Sequence, residues 1–347
     1  MGESCPMNGG DGTYSYAKNS TGQRDVARAV EDAIKEAVMD NLDLDKLLCG
    51  STRFAVADLG CSVGPNTFYS METIIKTVQQ KSSTNNLEFQ VLFNDQIGND
   101  FNTLFASLPQ GRSYFAAAVA GSFHGRLFPS SSSIHIAYSS IAMHWLSKLP
   151  EGVAVKGSPA WNAGKIHYMG ASDAVVKAYA DRFEEDMEIF LRARAQEIVA
   201  GGMVVTLLPG VPNPDIQHYA AVALNFFESI LIDMVKEGVL AQEEMDSFNV
   251  PSFFSCIEDM RRVVEKNASF EIVKMEMVDV TINADAETKV RHLRASTEGT
   301  MVNHFGKEIV EQVFERAMQQ KLHFTHMLDS MGDKVFGGML FAVLNRK

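Results

Sequence analysis

The stretch DLGCSVGPNT, residues 58–67, decides the fold. It follows the apolar run Phe54-Ala55-Val56-Ala57 and precedes a segment, 68–80, whose apolar residues recur at helical spacing. A strand that runs into a glycine-containing loop and then a helix is the usual frame of a nucleotide-like site in an α/β protein. The sequence therefore predicts a strand–turn–helix unit whose turn faces a ligand.

This loop does not match the usual phosphate-binding patterns. Gly60 and Gly64 fit neither GxGxxG nor GxxxxGK[ST]. S-Adenosylmethionine carries no phosphate; it needs room beside such a loop and a carboxylate at the end of the next strand for its ribose hydroxyls. Asp95, which ends the run QVLFND, has that position. The alternative is that the loop only closes a tight connection and that Asp95 caps a helix.

Strands alternate with helices through most of the chain, which predicts an α/β fold with a parallel sheet and helices on both faces. The apolar patterns predict strands at 53–60, 87–95, 113–121, 133–140, 203–210, 270–280 and 338–347. They predict helices at 24–48, 68–80, 101–108 and 173–202, the last closed by a glycine pair, with two more near the C-terminus.

The alternation breaks near residue 210. Residues 214–267 show helical spacing only, and strand patterns return at 270–280. We therefore expect a Rossmann-like core at 24–210 and 268–347. Residues 1–23 and 211–267 are expected to form an N-terminal segment and a helical cap over the substrate pocket.

Composition excludes several classes of partner. The formal net charge of −12 would repel a phosphate backbone, so nucleic acid is not expected. No apolar run is long enough to cross a bilayer, and the N-terminus lacks the apolar region of a signal peptide. Cys5, Cys49, Cys61 and Cys256 form no CxxC pair, which favours reduced thiols and a cytoplasmic protein.

Several further stretches resemble the plant SABATH methyltransferases. MNGGDGTYSYAKNSTGQ (7–23) resembles that family's N-terminal signature, and DLGCSVGPNTF (58–68) its cofactor loop. Matching segments follow in the expected order: FQVLFNDQIGNDFNTLF (89–105), GSFHGRLFP (121–129), SSIAMHWLSKLP (139–150), RAQEIVAGG (194–202) and DSFNVP (246–251). The resemblance implies methylation of small plant metabolites with S-adenosylmethionine, by a class I methyltransferase Rossmann-like sheet with an α-helical cap.

The resemblance also implies roles for individual residues. Its cofactor contacts fall on Tyr16, Ser20, Gly60, Cys61, Asn66, Asp95, Gln96, Ser122, Phe123 and Ser139. Its substrate-carboxylate clamp falls on Gln23 and Trp145, for which the alternatives are a helix cap and ordinary packing. Its acyl-binding positions fall on Ile141, His144, Leu208, Ala223, Leu224 and Leu293.

Two further properties are implied only by the resemblance. Some members hold Mg²⁺ near the pocket, and the matching ligands here are Asn162, Asp246, the backbone oxygen of Phe248, and Asn249. Oxygen ligands suit that ion, although Asp246 also fits an ordinary helix cap and the chemistry needs no metal. Members commonly pair as homodimers.

The chemistry suits a carboxylic acid substrate. Such an acid, with a pKa near ~4, is ionised at neutral pH, so no general base is needed. An amide N–H and an indole N–H are neutral donors that can position the carboxylate. His144 and Ile141 stand where salicylate-selective members carry Met and an aromatic residue, and His144 is expected to shape the pocket. The aliphatic walls favour an apolar or aromatic acid over a glycosylated one.

We therefore predict a carboxyl O-methyltransferase. A purine N-methyltransferase is the alternative within the enzymes; it needs polar partners for a xanthine ring, and the predicted pocket offers few. A catalytically silent small-acid binding protein is a second alternative, which the intact set Ser20, Asn66, Asp95 and Phe123 disfavours. A nicotinamide-dependent dehydrogenase is disfavoured because GxGxxG is missing.

Overall fold

The computed structural model describes residues 6–83, 86–129, 134–213, 216–280, 284–332 and 335–347. The described strands are β1 (Arg53–Leu59), β2 (Glu88–Asp95), β3 (Tyr114–Ala120), β4 (Ile134–Ser140), β5 (Ile198–Pro209), β6 (Gln217–His218), β7 (Phe270–Val278), β8 (Val335–Phe336) and β9 (Met339–Arg346). The described helices are α1 (Tyr16–Asn19), α2 (Thr21–Ala29), α3 (Glu31–Asn41), α4 (Leu44–Leu48), α5 (Pro65–Lys81), α6 (Phe101–Ala106), α7 (Asp173–Glu197), α8 (Tyr219–Lys236), α9 (Gln242–Ser247), α10 (Ile257–Asn267), α11 (Ala286–Phe305), α12 (Lys307–Gln319) and α13 (Lys321–Met331). Cys5 lies outside the described residues.

The central sheet has seven strands in the order β3-β2-β1-β4-β5-β9-β7. The first five are parallel, as expected, but β9 runs antiparallel to both β5 and β7. The prediction of a purely parallel sheet is therefore wrong at this edge. Residues 339–344 of β9 are all buried. A strand that is buried on both faces is an unbroken apolar run, and such a run has the same pattern whether the strand is parallel or antiparallel to its neighbours.

The strand order reverses between β1 and β4, which are neighbours in the sheet. The connections that follow these two strands run in opposite directions. A crevice therefore forms at the carboxyl ends of the two strands. Apolar residues cover both faces of the sheet: Met187, Phe190 and Met260 on one side, Ile34 and Met71 on the other. The sheet is thus a buried platform that fixes the loops after β1, β2 and β4.

The predicted helix over 24–48 is wrong as a single helix, because the structure divides it into α2, α3 and α4. Leu42 leaves the helix with an extended backbone, and Asp43 caps α4 by accepting a hydrogen bond from the Lys46 N–H at 3.2 Å. Val30, between α2 and α3, and Leu42 are both buried. Because both breaks keep their apolar side chains inward, the apolar spacing continues across them.

The predicted end of the long helix near residue 202 is also wrong. Helix α7 ends at Glu197, and β5 begins at Ile198, which pairs with Ile134 of β4. β-Branched residues at 198–199 are buried there, as in a strand. Gly202 lies inside β5, where a Cβ would come within 2.6 Å of the His135 carbonyl oxygen.

A third hydrophobic cluster lies among the helices after β5. Phe226 of α8 stacks on Phe324 of α13 at 5.0 Å between ring centroids, and Phe227 meets the edge of Phe314 of α12 at 5.4 Å. Helix α10, in contrast, contributes Met260 to the cluster on the sheet. Helix α8 therefore packs on helices that follow residue 286 in the chain. The division into a core at 24–210 and 268–347 and a cap at 1–23 and 211–267 stays a prediction. Within the described ranges, every helix is too short or too polar to span a bilayer.

Candidate active site

The loop between β1 and α5 has backbone angles that glycine favours. Gly60 and Gly64 have φ of +81° and +111°, and Ser62 between them has φ of +50°. A Cβ on Gly60 would lie 2.4 Å from the Ala142 Cβ, and one on Gly64 would lie 2.9 Å from the Ala17 Cα. The two glycines therefore let the segment after β4 and helix α1 approach the loop closely.

Asp95, at the carboxyl end of β2, holds this loop. Its Oδ2 accepts a hydrogen bond from the Ser62 N–H and its Oδ1 accepts one from the Gln96 N–H, each at 2.7 Å. Burial raises the pKa of Asp95, whereas these two backbone donors lower it. Each oxygen keeps a free lone pair, so the carboxylate can still accept hydrogen bonds from a pair of hydroxyls.

The neighbouring Asn94 ties three loops together. The Gly60 and Cys61 N–H groups donate to its carbonyl oxygen, both at 2.9 Å. Its side-chain Nδ2 donates to the carbonyl oxygens of Val119 and Gly121, at 2.8 and 2.9 Å. The ends of β1, β2 and β3 are thereby fixed relative to one another.

On the predicted adenine side, Phe123 meets the glycine loop. A Cβ on Gly60 would lie 3.6 Å from its Cε1 atom, so the Phe123 ring lies against Gly60. The hydroxyl of Ser139, which is buried, donates to the Leu59 carbonyl oxygen at 2.8 Å and joins β4 to β1. Ser122 is exposed at the rim.

On the predicted methionine side, Ser20 and Asn66 lie in direct contact. The Asn66 Nδ2 donates to the carbonyl oxygen and to the Oγ of Ser20, at 2.9 and 3.0 Å. The Arg24 Nε donates to the Asn66 Oδ1 at 3.4 Å. Tyr16 lies nearby: burial, and then the charges of Asp95 and Asp58, raise the pKa of its hydroxyl.

A buried ion pair supports the Phe123 loop, and the sequence analysis missed its role. Arg194 donates to the carbonyl oxygens of Phe123 and Gly125, both at 2.9 Å, and to Glu197 at 2.6 Å. Glu197 in turn accepts from the backbone N–H groups at 127–128, at 2.6 and 2.9 Å. The available sequence signal was two opposite charges at i and i+3 directly before the apolar start of a strand.

The first predicted clamp residue, Gln23, contacts a histidine. Its Nε2 lies 3.2 Å from the Nε2 of His292 on α11, and the Nδ1 of His292 lies 2.9 Å from the Asn19 carbonyl oxygen. The Oε1 of Gln23 is buried and has no hydrogen-bond partner. His292 was not predicted, because 269 residues separate it from Gln23 in the chain.

The second predicted clamp residue, Trp145, lies on a small cavity of about 10 Å³ within the hydrophobic cluster formed by the helices after β5. The segment around it is fixed by backbone hydrogen bonds: Phe253 N–H to the His144 carbonyl oxygen at 2.9 Å and Leu146 N–H to that of Pro251 at 2.8 Å. The cavity is lined by Trp145, Ile166, Leu224, Phe227, Phe248, Val250, Thr297, Thr300 and Met301. Trp145 and Leu224, both predicted site residues, therefore share one space.

The other predicted pocket residues divide among different surroundings. Ala223 and Leu293 belong to the hydrophobic cluster on which Trp145 packs, whereas Leu208 belongs to a cluster on the sheet. Ile141 has φ of +54° and packs on the opposite face of the sheet. His144 lies beside Trp145, with 5.0 Å between ring centroids, and burial lowers its pKa to about 3.

The four predicted magnesium ligands lie close together but bond mainly to protein groups. Asn162 Nδ2 donates to the Asn249 Oδ1 at 2.7 Å, and the Asp246 Oδ1 accepts from the Gly164 N–H at 2.9 Å. Phe248 packs on Phe305 at 4.7 Å between centroids. Asp246 is the one carboxylate of the four, and across the described ranges no three His, Cys, Asp or Glu side chains converge as for a metal. These donors fit a divalent ion poorly, and its binding stays a prediction.

The glycine loop, Asp95, and the Ser20–Asn66 pair fit S-adenosylmethionine. The loop packs closely on Ala142 and Ala17 at its two glycines, and the partly buried carboxylate of Asp95 ends β2 beside it. Such a site at the switch point of this sheet defines a class I methyltransferase.

Comparison with known proteins gives the family. The family of SAM dependent carboxyl methyltransferases matches residues 2–347, and the chain belongs to it. The predicted fold class, cofactor and carboxyl methylation are thereby confirmed. The chain is 40% identical to loganic acid O-methyltransferase of Catharanthus roseus, over 99% of this chain and 95% of that protein.

Two further similarities concern the fold and the alternative of a purine N-methyltransferase. A solved structure of loganic acid methyltransferase with SAH superposes with a TM-score of 0.93, at 39% identity and 99% coverage of both chains. Paraxanthine methyltransferase 2 of Arabidopsis thaliana is 36% identical over 98% of both chains.

Proposed function

We propose that this enzyme methylates the carboxylate of a small apolar or aromatic acid held by Gln23 and Trp145. The observation that carries the proposal is the cavity at Trp145. Its lining is made mainly of aliphatic and aromatic side chains, such as Leu224, Phe227 and Met301. An apolar lining of this kind suits a hydrocarbon or aromatic body. The cavity itself, at about 10 Å³, has room for about one water molecule, so the proposal requires its side chains to move apart when the acid enters and brings its carboxylate to Trp145 and Gln23.

The chain's task in this reaction is to hold an anion in line and keep water away. When bound, S-adenosylmethionine supplies the methyl group on a positively charged sulfur. A carboxylate oxygen forms the new O–CH₃ bond while the S–CH₃ bond breaks, and no proton has to be moved. Gln23 and Trp145 bring neutral donors, which position the carboxylate without adding a counter-ion that would stabilise it before reaction.

His144 is suited to packing and not to proton transfer. Burial, with a smaller contribution from His218, lowers its pKa to about 3, so its ring is neutral at physiological pH. Its ring lies near those of Trp145 and Phe254, at 5.0 and 6.2 Å between centroids. A neutral aromatic ring at this place helps exclude water from the carboxylate end of the cavity.

The clamp is tested with Trp145→Phe, which keeps an aromatic ring and removes the indole N–H. A hydrogen bond to a charged group contributes about 1.5–3 kcal/mol, so kcat/KM should fall by roughly 10- to 150-fold. Trp161→Phe, at the other tryptophan of the chain, is the matched control. Near-normal turnover of Trp145→Phe, with unchanged affinity for the cofactor, would remove Trp145 from the clamp.

The acid is identified with a labelled-methyl assay. The panel should contain benzoic, indole, terpenoid and fatty acids, loganic acid, and xanthines, since relatives named for loganic acid and paraxanthine match this chain. We expect the highest kcat/KM on an apolar or aromatic acid. A preference for loganic acid would contradict the apolar assignment, and methylation of xanthines alone would establish the purine alternative.

A catalytically silent acid-binding protein, the second alternative from the sequence, is disfavoured by membership of the carboxyl methyltransferase family. Calorimetry tests cofactor binding directly, because a silent binder would bind the acid alone. The Ser20–Asn66 contact and the free lone pairs of Asp95 support cofactor binding.

Three further properties are proposed from the family resemblance. A homodimer is supported by the edge strand β3, where Phe115 exposes 67% of its surface, and light scattering tests it. The magnesium ion that the resemblance implies near Asn162 and Asp246 has little support from these donors, which bond to protein groups. Chelation tests it, and unchanged stability and activity would remove it. A cytoplasmic location is supported by the free thiols of Cys49, Cys61 and Cys256, and imaging of a fluorescent fusion tests it.

A further inference from the structure

We propose that His292 is a positioning residue that fixes the amide of Gln23 so that it presents an N–H, and not its carbonyl oxygen, to the substrate carboxylate. The inference rests on the proposed function, because it assumes that Gln23 contacts the substrate. It concerns a residue of helix α11 whose ring contacts the amide although 269 residues separate the two in the chain.

The hydrogen bonds of His292 determine which of its nitrogens carries the proton. Its Nδ1 lies 2.9 Å from the Asn19 carbonyl oxygen, which can only accept, so Nδ1 must be the donor. In a neutral imidazole the Nε2 is then an acceptor. Burial lowers the pKa of His292 and favours this neutral ring.

An acceptor at Nε2 sets the orientation of the Gln23 amide. The atom 3.2 Å away must donate, so it is the amide nitrogen and not the oxygen. One N–H of that nitrogen is used by His292, and the second remains available. A flipped amide would set its oxygen against the Nε2 lone pair, which is repulsive.

His292 is also the amide's single anchor within the described part of the chain. The Gln23 Oε1 is buried and unpartnered, and the Nε2 bonds only to His292. Without His292 the amide can rotate. A flipped amide would offer its oxygen, which carries a partial negative charge, to the anionic substrate, and that contact is repulsive.

Two substitutions separate positioning from a structural role. His292→Gln keeps an acceptor near the position of Nε2 and loses the bond to Asn19, whereas His292→Asn keeps a donor near Nδ1 and loses the acceptor for Gln23. We expect His292→Asn to lower kcat/KM for the acid by about tenfold or more, with a raised KM for the acid. His292→Gln should retain most of the wild-type kcat/KM at saturating cofactor.

A merely structural role predicts the reverse order. Asn19 precedes Ser20, so loss of the Asn19 bond would weaken cofactor affinity in His292→Gln. Equal losses in both variants, or a larger loss in His292→Gln, would overturn the inference. Thermal unfolding with SAH present confirms that each variant is folded.

The Gln23→Ala background distinguishes failure of this inference from failure of the proposed function. If Gln23→Ala alone keeps wild-type turnover, the clamp itself is wrong and so is the role of His292. If Gln23→Ala is impaired, His292→Asn should add little to it, since its effect is transmitted through the amide. A full additional loss in the double variant would leave the clamp intact and refute the positioning role.

Discussion

At the scale of single residues, the site depends on groups whose backbone or protonation is unusual. Gly60 and Ser62 adopt positive φ, the Asp58 carboxyl is buried, and the Asp95 carboxyl is partly buried beside the loop that it holds. Both features cost stability in the absence of ligand. They are retained where backbone N–H groups and a carboxylate must face the same small space.

Substitution of Gly60 by alanine tests the loop geometry. The new Cβ would lie 2.4 Å from the Ala142 Cβ, so one of the two segments has to move. We expect at least a tenfold loss of affinity for S-adenosylmethionine by calorimetry, together with about 1–2 kcal/mol of backbone cost. Gly50→Ala is the matched control, because Gly50 has φ of +85° and nothing within 4 Å of the added carbon. Equal cofactor affinity in both variants would contradict the prediction.

Asp58 should make the stability of the protein depend on pH. Burial raises its pKa to about 7, the Thr67 hydroxyl opposes the shift, and Asp95 adds to it. Between the unfolded value near ~4 and about 7, the native state keeps a proton that the unfolded chain releases. The free energy of unfolding should therefore fall as pH rises through this window and then level off.

Urea unfolding of Asp58→Asn at pH 5 and pH 8 checks this expectation. Asparagine cannot ionise, so the loss of stability between the two pH values should be smaller than in the wild-type protein. Asp32→Asn, at an exposed position, serves as the control and should follow the wild type. An unchanged difference in Asp58→Asn would show that Asp58 does not carry this pH dependence.

At the scale of elements, the end of helix α7 determines the shape of the Phe123 loop. Arg194 and Glu197 are fully buried, and together they bond to four backbone groups between Phe123 and Phe128. Burial lowers the pKa of Arg194, while Glu197 raises it. The pair is thus a buried scaffold for a loop that has few backbone bonds of its own.

Removal of Glu197 would leave the positive charge of Arg194 buried without an opposite charge beside it. Glu197→Ala should lower the free energy of unfolding by about 3–5 kcal/mol in urea titrations. The matched control is Arg192→Ala, one turn earlier, where the 3.9 Å contact with Glu188 is at the surface and should contribute less than about 1 kcal/mol. Similar losses in the two variants would contradict the role given to the buried pair.

At the scale of the whole molecule, the N-terminal segment joins the cofactor loop to helix α11. The Asn8 N–H donates to the Ala295 carbonyl oxygen at 3.1 Å, and the Arg294 guanidinium lies 3.9 Å from the centre of the Tyr14 ring. At its other end the segment reaches the Ser20–Asn66 contact. One short stretch of chain therefore contacts both helix α11 and the start of helix α5, beside the predicted cofactor site.

Asn66→Leu tests this connection in the protein without ligand. The substitution removes both hydrogen bonds to Ser20 and leaves its buried carbonyl oxygen without that donor, at a cost of about 1–3 kcal/mol. We expect amide hydrogen exchange at residues 8–23 to accelerate by roughly 5- to 150-fold. Asn41→Leu, which loses only a bond within its own helix, is the control. Unchanged exchange would place the anchor of the segment elsewhere.

The sequence by itself determined the sheet's parallel half, the glycine loop and the carboxylate of Asp95, because each depends on local spacing along the chain. The family motifs likewise are contiguous. Only the tertiary structure decided the antiparallel direction of β9, the division of the 24–48 helix, and the contact of Gln23 with His292. These depend on which buried surfaces meet across many residues, and an apolar or polar residue carries no local signal of the partner that completes its packing or its hydrogen bond.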